Sequence, residues 1–196
     1  SDGYNRQTIK VLKPEKGYIK PDVFNTKIID NKENYVVLLT NNEVVVADVV
    51  NNLGVLPDKI KLTLFTLNYG KNFEKIDNNF LARTHFHYPV SSFINRENDT
   101  VKKFINLYKA KNYVNPSEYA FKGFDIVYDA LVRLATYPEY NNAFNSGISE
   151  RLSSKFYYTK SNNNFFENIG TYLIKYDGLK LIDAEKSTAD KTKLLK

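Results

Sequence analysis

The chain has 196 residues, of which 42% are hydrophobic and 26% are charged, and it contains no cysteine. The absence of cysteine excludes disulfides, thiol nucleophiles and thiolate metal ligands, and no apolar run approaches the roughly 18 residues of a membrane-spanning helix. The net charge of +6 comes from lysines interspersed with acidic residues. That pattern is typical of a solvated surface, so we expect no nucleic-acid partner.

The first part of the chain alternates between predicted strands and helices. "TIKVL" at 8–12 is typical of a strand, and "DVFNTKII" at 22–29 has apolar residues at helical spacing. The apolar run "YVVLL" at 35–39 indicates a strand covered on both faces. Apolar residues then recur at helical spacing over 46–53, and Gly54 is placed for a left-handed stop.

A second apolar strand, "IKLTLFTL" at 60–67, follows this helix. Strand, helix and strand in this order predict parallel strands joined by a right-handed crossover. The predicted fold class is therefore α/β, with an open, mostly parallel sheet flanked by helices. "THFHYPVSSF" at 84–93 is predicted to be a strand that leaves this sheet, because Pro89 and the serines after it indicate a change of direction.

Two amphipathic helices are predicted at 98–113 and 115–135. The second is expected to be capped by Asn115. Its apolar stripe is expected to face a core, whereas Asp129 and Arg133 are expected to form a solvated i, i+4 pair on the other side. The stripe consists of Phe124, Val127, Leu131 and Leu134. After this helix, strand-like runs occur at 155–158, 171–176 and 179–182.

Both histidines of the chain, His85 and His87, lie in the stretch predicted to leave the sheet. In an extended strand, residues i and i+2 point to the same face, so the two imidazoles could share a metal ion. Zinc would need at least one further donor, and no spacing identifies Glu74, Asp77 or another residue as that ligand. We predict that the histidines are structural, with no metal site and no cofactor.

No motif marks a catalytic centre. The chain lacks a Gly-x-Ser-x-Gly nucleophile elbow, and "NYGKNF" lacks the spaced glycines of a phosphate-binding loop. Asp125 and Asp129 lie one helical turn apart and could resemble an acid and base pair, but solvation and the neighbouring Arg133 account for them. We therefore predict that the chain is not an enzyme.

The best candidates for a binding site follow the two apolar strands. In an open parallel sheet, ligands bind beyond the carboxyl ends of the strands. Those ends are "TNNE" and "TLNYG", whose amides, hydroxyl and aromatic ring could bind a small molecule. The alternative, that the asparagines only cap a helix and the tyrosine only closes a turn, stays open. The candidate ligand-binding residues are Thr40, Asn41, Asn42, Asn68 and Tyr69.

Several segments resemble those of type I periplasmic-binding proteins, the leucine/isoleucine/valine-binding family. "VKKFINLYKAKNY" is similar to that family's Phe-x-x-x-Tyr helix, while "ENYVVLLTNNEVVVADVVNNLGVL" and "NIGTYLIKYDGLKLI" resemble its strand and helix unit and its closing strands. "NPSEYAFKGFDIVYDALVRLA" resembles its Tyr-Ala and Gly-Tyr-Asp helix, with phenylalanine in place of the second tyrosine. The matching residues are Phe104, Tyr108, Pro116, Ser117, Tyr119, Ala120, Gly123, Phe124 and Asp125.

The resemblance implies a non-catalytic module in the periplasm or cell envelope that binds a small molecule such as an amino acid, for transport or as an envelope interaction module. The asparagine-rich, cysteine-free composition is most similar to envelope proteins of the Bacteroidetes type. The alternative is a metal-dependent enzyme that uses His85 and His87.

The resemblance also implies a division of the chain, which would cover mainly the family's second lobe. Residues 4–92 would form the α/β portion, 93–147 a helical segment in or beside a first lobe, 148–185 strands returning to the second lobe, and 186–196 a polar tail. Because most of the first lobe has no counterpart here and the chain contains no methionine, we expect a fragment or a reduced relative. We expect a missing first lobe or self-association to cover its exposed apolar faces.

Overall fold

A computed structural model of the chain describes residues 9–15, 17–161 and 165–186. The helices are α1 (Pro21–Asn25), α2 (Glu43–Gly54), α3 (Asn78–Arg83), α4 (Asp99–Asn112), α5 (Glu118–Thr136) and α6 (Tyr140–Phe144), with a 3-10 helix at Lys71–Phe73. The strands are β1 (Asn34–Leu38), β2 (Leu62–Thr66), β3 (His87–Val90), β4 (Ser149–Glu150), β5 (Lys155–Phe156), β6 (Tyr158–Lys160), β7 (Phe166–Asn168), β8 (Tyr172–Asp177) and β9 (Lys180–Asp183). None of the helices in the described ranges has the length and apolar character that crossing a membrane requires.

The architecture is mixed α/β, as predicted. A five-stranded sheet, in the order β1-β2-β3-β8-β9, is parallel at the β1 end and is flanked by helices, while β4 with β5 and β6 with β7 form small antiparallel sheets. The strand-like runs predicted after residue 150 correspond to β5 with β6, to β8 and to β9. Gly178, at φ 58°, makes the turn between the last two strands.

The chain divides into two compact units. Within the described residues, the first unit comprises 9–88 and 175–181, and the second comprises 89–174 and 182–186. The resemblance implied that residues 148–185 return to the second lobe. Of these, 148–174 and 182–185 are grouped with α4 and α5, whereas 175–181 are grouped with residues 9–88.

Strands β1 and β2 lie side by side and parallel, which confirms the prediction from the strand and helix order. Asn34 pairs with Leu62 and Leu38 with Thr66, and β2 pairs in parallel with β3. Helix α2 is the crossover between β1 and β2, and its Val46 is completely buried. The carboxyl ends of the two strands therefore meet at one edge of the sheet.

The prediction that the strand at 35–39 is covered on both faces is wrong. Tyr35 and Val37 are 62% and 55% exposed. Successive strand residues point to opposite faces, so only one face of β1 is packed within the described part of the chain. On the open face, the rings of Tyr35, Phe65 and His87 form a row across three strands, with centroids 6.3 and 5.0 Å apart.

Gly54 allows close packing and does not make the predicted left-handed stop. It is the last residue of α2, and its φ is not positive. A Cβ atom at this position would lie 2.4 Å from the ring of Phe80 on α3. Only glycine therefore lets α2 and α3 approach this closely.

The predictions at the start of the chain are only partly right. Residues 9–12 form no strand and Ile9 is 88% exposed, while residue 8 lies outside the described residues. A strand needs a neighbour to bond its backbone groups, and no strand pairs with residues 9–12 in the part of the chain described. The helix predicted at 22–29 is the shorter α1.

The orientation of α5 is the reverse of the prediction. Asp125 and Asp129 are completely buried and Arg133 is 4% exposed, so this polar side is not solvated. The four residues of the predicted apolar stripe are 41–61% exposed. The helix lies this way because residues 143–153 pack against its polar side and form hydrogen bonds with all three charged side chains.

Helix α5 also begins with a different cap from the predicted one. The hydroxyl of Ser117, and not Asn115, accepts the backbone N–H of Ala120 at 3.3 Å. Pro116 consequently precedes the cap and does not occupy the first helical position.

Candidate functional site

A cavity of about 160 Å³ lies at the carboxyl ends of β1 and β2, where the sequence predicted a binding site. Its polar lining comes from Thr40 and Asn41 after β1, and from Thr66 and Asn68 at the end of β2. Leucines from the same two strand ends supply the rest of the lining. The cavity belongs entirely to the first unit.

Two asparagine side chains join the loops that border this cavity. The Nδ2 group of Asn68 donates to Oδ1 of Asn41 at 2.9 Å. Within the described residues, Nδ2 of Asn41 and Oδ1 of Asn68 have no hydrogen-bond partner, so the pair retains donors and an acceptor at the cavity. Both side chains are exposed, which makes these groups accessible to a ligand.

Thr66, at the end of β2, holds together the two strand ends that carry this pair of asparagines. It was not among the site residues predicted from the sequence. Its side chain is 2% exposed, and its hydroxyl donates to the carbonyl oxygen of Leu38 at 3.3 Å and accepts the backbone N–H of Asn68 at 3.3 Å. These bonds fix the end of β2 against the end of β1. The available signal was a hydroxyl residue at the last position of an apolar strand, on the face that buries leucine.

Asn42 is a helix cap and does not line the cavity. Its Oδ1 accepts the backbone N–H groups of Val44 and Val45 at 3.0 and 3.2 Å. Its own backbone N–H donates to the hydroxyl of Thr40 at 3.2 Å. The structural interpretation that the sequence left open for the asparagines therefore applies to Asn42.

Tyr69 belongs to an aromatic cluster and also does not line the cavity. Its ring stacks on that of Tyr88 with centroids 4.0 Å apart, and Phe73 and Phe86 lie within 6 Å. Burial raises the pKa of Tyr88 well above its usual value. Burial, together with Tyr69, raises the pKa of Tyr176 to about 12. The phenols of Tyr88 and Tyr176 therefore stay neutral at physiological pH, and both side chains are buried.

The two histidines do not occupy same-face positions of one strand. His85 lies in the turn after α3 with φ 44°, and β3 begins at His87. Nδ1 of His87 bonds to the carbonyl oxygen of His85 at 2.6 Å. Burial lowers the pKa of His87, and the charge of Lys175 lowers it further. In the described residues, no group of three or more His, Asp or Glu side chains is placed to hold a metal ion.

The two helical carboxylates anchor a loop. Asp125 accepts the backbone N–H groups of residues 152–153 at 3.0 and 2.8 Å. Asp129 is bonded to Arg133 and Arg151, each at 2.7 Å. Both carboxylates are completely buried, so the expectation that they are solvated is wrong, although their assignment to a structural role agrees with these contacts.

A larger cavity of about 510 Å³ lies in the second unit, between the segment after β3 and the start of α5. Its charged groups are Arg96, Glu118 and Lys122. Arg96 and Glu118 are exposed, and no buried polar side chain is among its lining residues. The smaller cavity is the better candidate, because the buried Thr66 holds its two loops in a defined arrangement.

Comparison of the chain with protein-family models, with curated proteins and with solved structures finds no match. The geometry of the cavity is therefore the main argument for function.

Proposed function

We propose that the chain is a non-catalytic solute-binding module of the type I periplasmic-binding-protein kind, chiefly its second lobe, that acts in the periplasm or cell envelope. The observation that carries this proposal is the cavity between the carboxyl ends of two adjacent parallel strands. In open α/β sheets, this edge is where ligands bind. The similarity of "NPSEYAFKGFDIVYDALVRLA" to that family supports the same interpretation.

The chemistry of the cavity suits the polar end of a small molecule such as an amino acid. Asn41 and Asn68 offer amide donors and an acceptor, and the N-terminus of α2, beside Asn41, adds a partial positive charge. At about 160 Å³ the cavity is smaller than the roughly 300–1,000 Å³ of most small-molecule sites. We therefore propose that it holds one end of the ligand, and that a partner lobe or a second copy covers the rest.

A thermal-shift screen against amino acids and small metabolites tests this proposal. A ligand at 100 times its Kd should stabilise the folded chain by about 2.7 kcal/mol. Asn68→Ala should abolish that shift, because it removes both the amide pair and the group facing the cavity. Asn25→Ala is the matched control, since Asn25 is an exposed asparagine of the same unit on α1.

The result that contradicts the proposal is an equal ligand-induced shift in the native chain and Asn68→Ala. Absence of a shift with every compound would also contradict it and would favour a purely structural role.

A further inference from the structure

The larger cavity, which the proposed function does not use, has more cationic than acidic groups in its lining. It encloses about 510 Å³, which falls within the roughly 300–1,000 Å³ of most small-molecule sites. Arg96, in the segment after β3, and Lys122, in the second turn of α5, supply the two cations. Glu118 supplies the single carboxylate, so the lining carries one excess positive charge.

These charged groups are not neutralised by the chain's own ion pairs. Glu97, next to Arg96, is instead bonded to Lys102 at 3.4 Å. Glu118 and Lys122 have the i, i+4 spacing of a helical ion pair. Within residues 9–15, 17–161 and 165–186, however, the side chains of Arg96, Glu118 and Lys122 form no ion pair and no hydrogen bond. Lys122 is half-buried, and a partly buried charge without a partner is stabilised when an opposite charge binds beside it.

Buried hydrogen bonds behind the lining hold the two walls of this cavity together. Asp125, on α5 three residues after Lys122, accepts the backbone N–H and the hydroxyl of Ser153 at 2.8 and 2.7 Å. The carbonyl oxygen of Ser153 accepts the backbone N–H of Phe93, in the other wall, at 2.7 Å. Asp125 and Ser153 are completely buried. The two walls are therefore fixed relative to each other before a ligand binds, which lowers the cost of binding.

We propose that the larger cavity binds a small organic carboxylate, with its charged group between Arg96 and Lys122 and its apolar body against Phe93 and Ile94. A guanidinium can donate two parallel hydrogen bonds to one carboxylate, and the ammonium adds a second positive charge. Helix α5 begins at Glu118, so its N-terminus contributes a further partial positive charge. The single excess charge of the lining suits a single carboxylate better than a multiply charged phosphate.

This inference does not rest on the proposed function. The larger cavity lies in the second unit and the smaller one in the first, and the two cavities share no lining residue. A chain that fails to bind an amino acid at Asn41 and Asn68 could therefore still bind a carboxylate at Arg96 and Lys122.

Isothermal titration calorimetry with indole-3-acetate and its neutral amide, indole-3-acetamide, tests this site. The two probes share an apolar body and differ in charge. Hydrogen bonds to charged groups are the stronger ones, so the native chain should bind the carboxylate at least about tenfold more tightly than the amide. Raising NaCl from about 20 to 500 mM should weaken binding of the carboxylate, because salt screens accessible charges, and should leave binding of the amide unchanged.

Arg96→Gln and Lys122→Gln should each weaken binding of indole-3-acetate by about tenfold, because each removes one charged donor. Both variants should fold like the native chain, since neither side chain has a partner in the described ranges. Lys103→Gln is the matched control, because Lys103 is exposed on α4 outside the cavity lining and its loss changes the net charge equally. It should bind indole-3-acetate like the native chain.

Three results would overturn the proposal. The first is no binding of indole-3-acetate up to about 10 mM, and the second is equal affinity of the native chain for the two probes. The third is an affinity for indole-3-acetate that is the same in Arg96→Gln, Lys122→Gln and Lys103→Gln.

Discussion

Replacing Arg133 by methionine should destabilise the chain far more than replacing Leu131 by alanine, although an ordinary amphipathic helix would show the opposite. Arg133 is 4% exposed and donates to Oδ2 of Asp129 at 2.7 Å. It also donates to the Ser146 hydroxyl at 2.7 Å and to the carbonyl oxygen of Gly147 at 3.0 Å. Methionine has a similar length and helix propensity, so the change removes the charge and the donors while keeping most of the packing.

The expected loss of stability depends on the buried charge of Asp129, which remains when Arg133 is replaced. Removing one partner of a buried ion pair costs about 3–5 kcal/mol, because the other charge stays buried. Asp129 keeps Arg151, at 2.7 Å, so the cost should lie at the lower end, about 3 kcal/mol. Leu131 is 61% exposed, and surface substitutions usually change stability by no more than about 0.5 kcal/mol.

Urea unfolding followed by far-UV circular dichroism measures both effects. A loss of about 3 kcal/mol is a large share of the roughly 5–15 kcal/mol that stabilises a typical domain. If Leu131→Ala costs more than Arg133→Met, the apolar stripe is the packed side of α5 and the buried network described here is wrong.

Three further changes probe local features of the fold. Gly54→Ala should cost about 1–3 kcal/mol by overpacking, because the new Cβ would lie 2.4 Å from Phe80. Gly123→Ala, whose new Cβ meets no atom within 4 Å, should instead stabilise α5 by about 0.5–1 kcal/mol. Equal effects of the two substitutions on stability would contradict the close approach of α2 and α3. Asn42→Ala should lower the unfolding free energy by about 1 kcal/mol, since two N–H groups lose their acceptor, and an unchanged urea midpoint would contradict the cap. Burial lowers the pKa of His87 in the folded chain. As the pH falls below about 6.5, His87 therefore takes up a proton in the unfolded chain before it does so in the folded chain, and the free energy of unfolding decreases below that pH. His87→Gln should flatten urea midpoints measured between pH 7.5 and 5, and an unaltered pH dependence would count against a buried imidazole.

Part of the candidate site follows from the sequence alone. The rule that ligands bind beyond the carboxyl ends of parallel strands selects two short loops, and Thr40, Asn41 and Asn68 do lie at one cavity. The rule cannot tell which side chain of a loop faces the cavity, because that depends on how each loop turns. Asn42 instead caps α2 and Tyr69 stacks on Tyr88.

Local signals in the sequence determined most of the secondary structure. β-branched and aromatic runs predict β1 and β2, helical spacing predicts α2, α4 and α5, and the order of these elements predicts parallel pairing. Each of these inferences depends on residues within about one helical turn or one strand of one another. The prediction that an asparagine caps α2 also depends only on neighbouring residues.

The tertiary structure alone decided which side of α5 is buried. Periodicity shows that α5 has an apolar and a polar side, but the bonds that Asp125 forms with residues 152–153, 27 and 28 positions further along the chain, decide which side faces inward. Asp129 and Arg133 also face inward, because the same loop forms hydrogen bonds with their charged groups. A helix orients towards whatever neighbour can satisfy its groups, and that neighbour is set by the folding of distant segments.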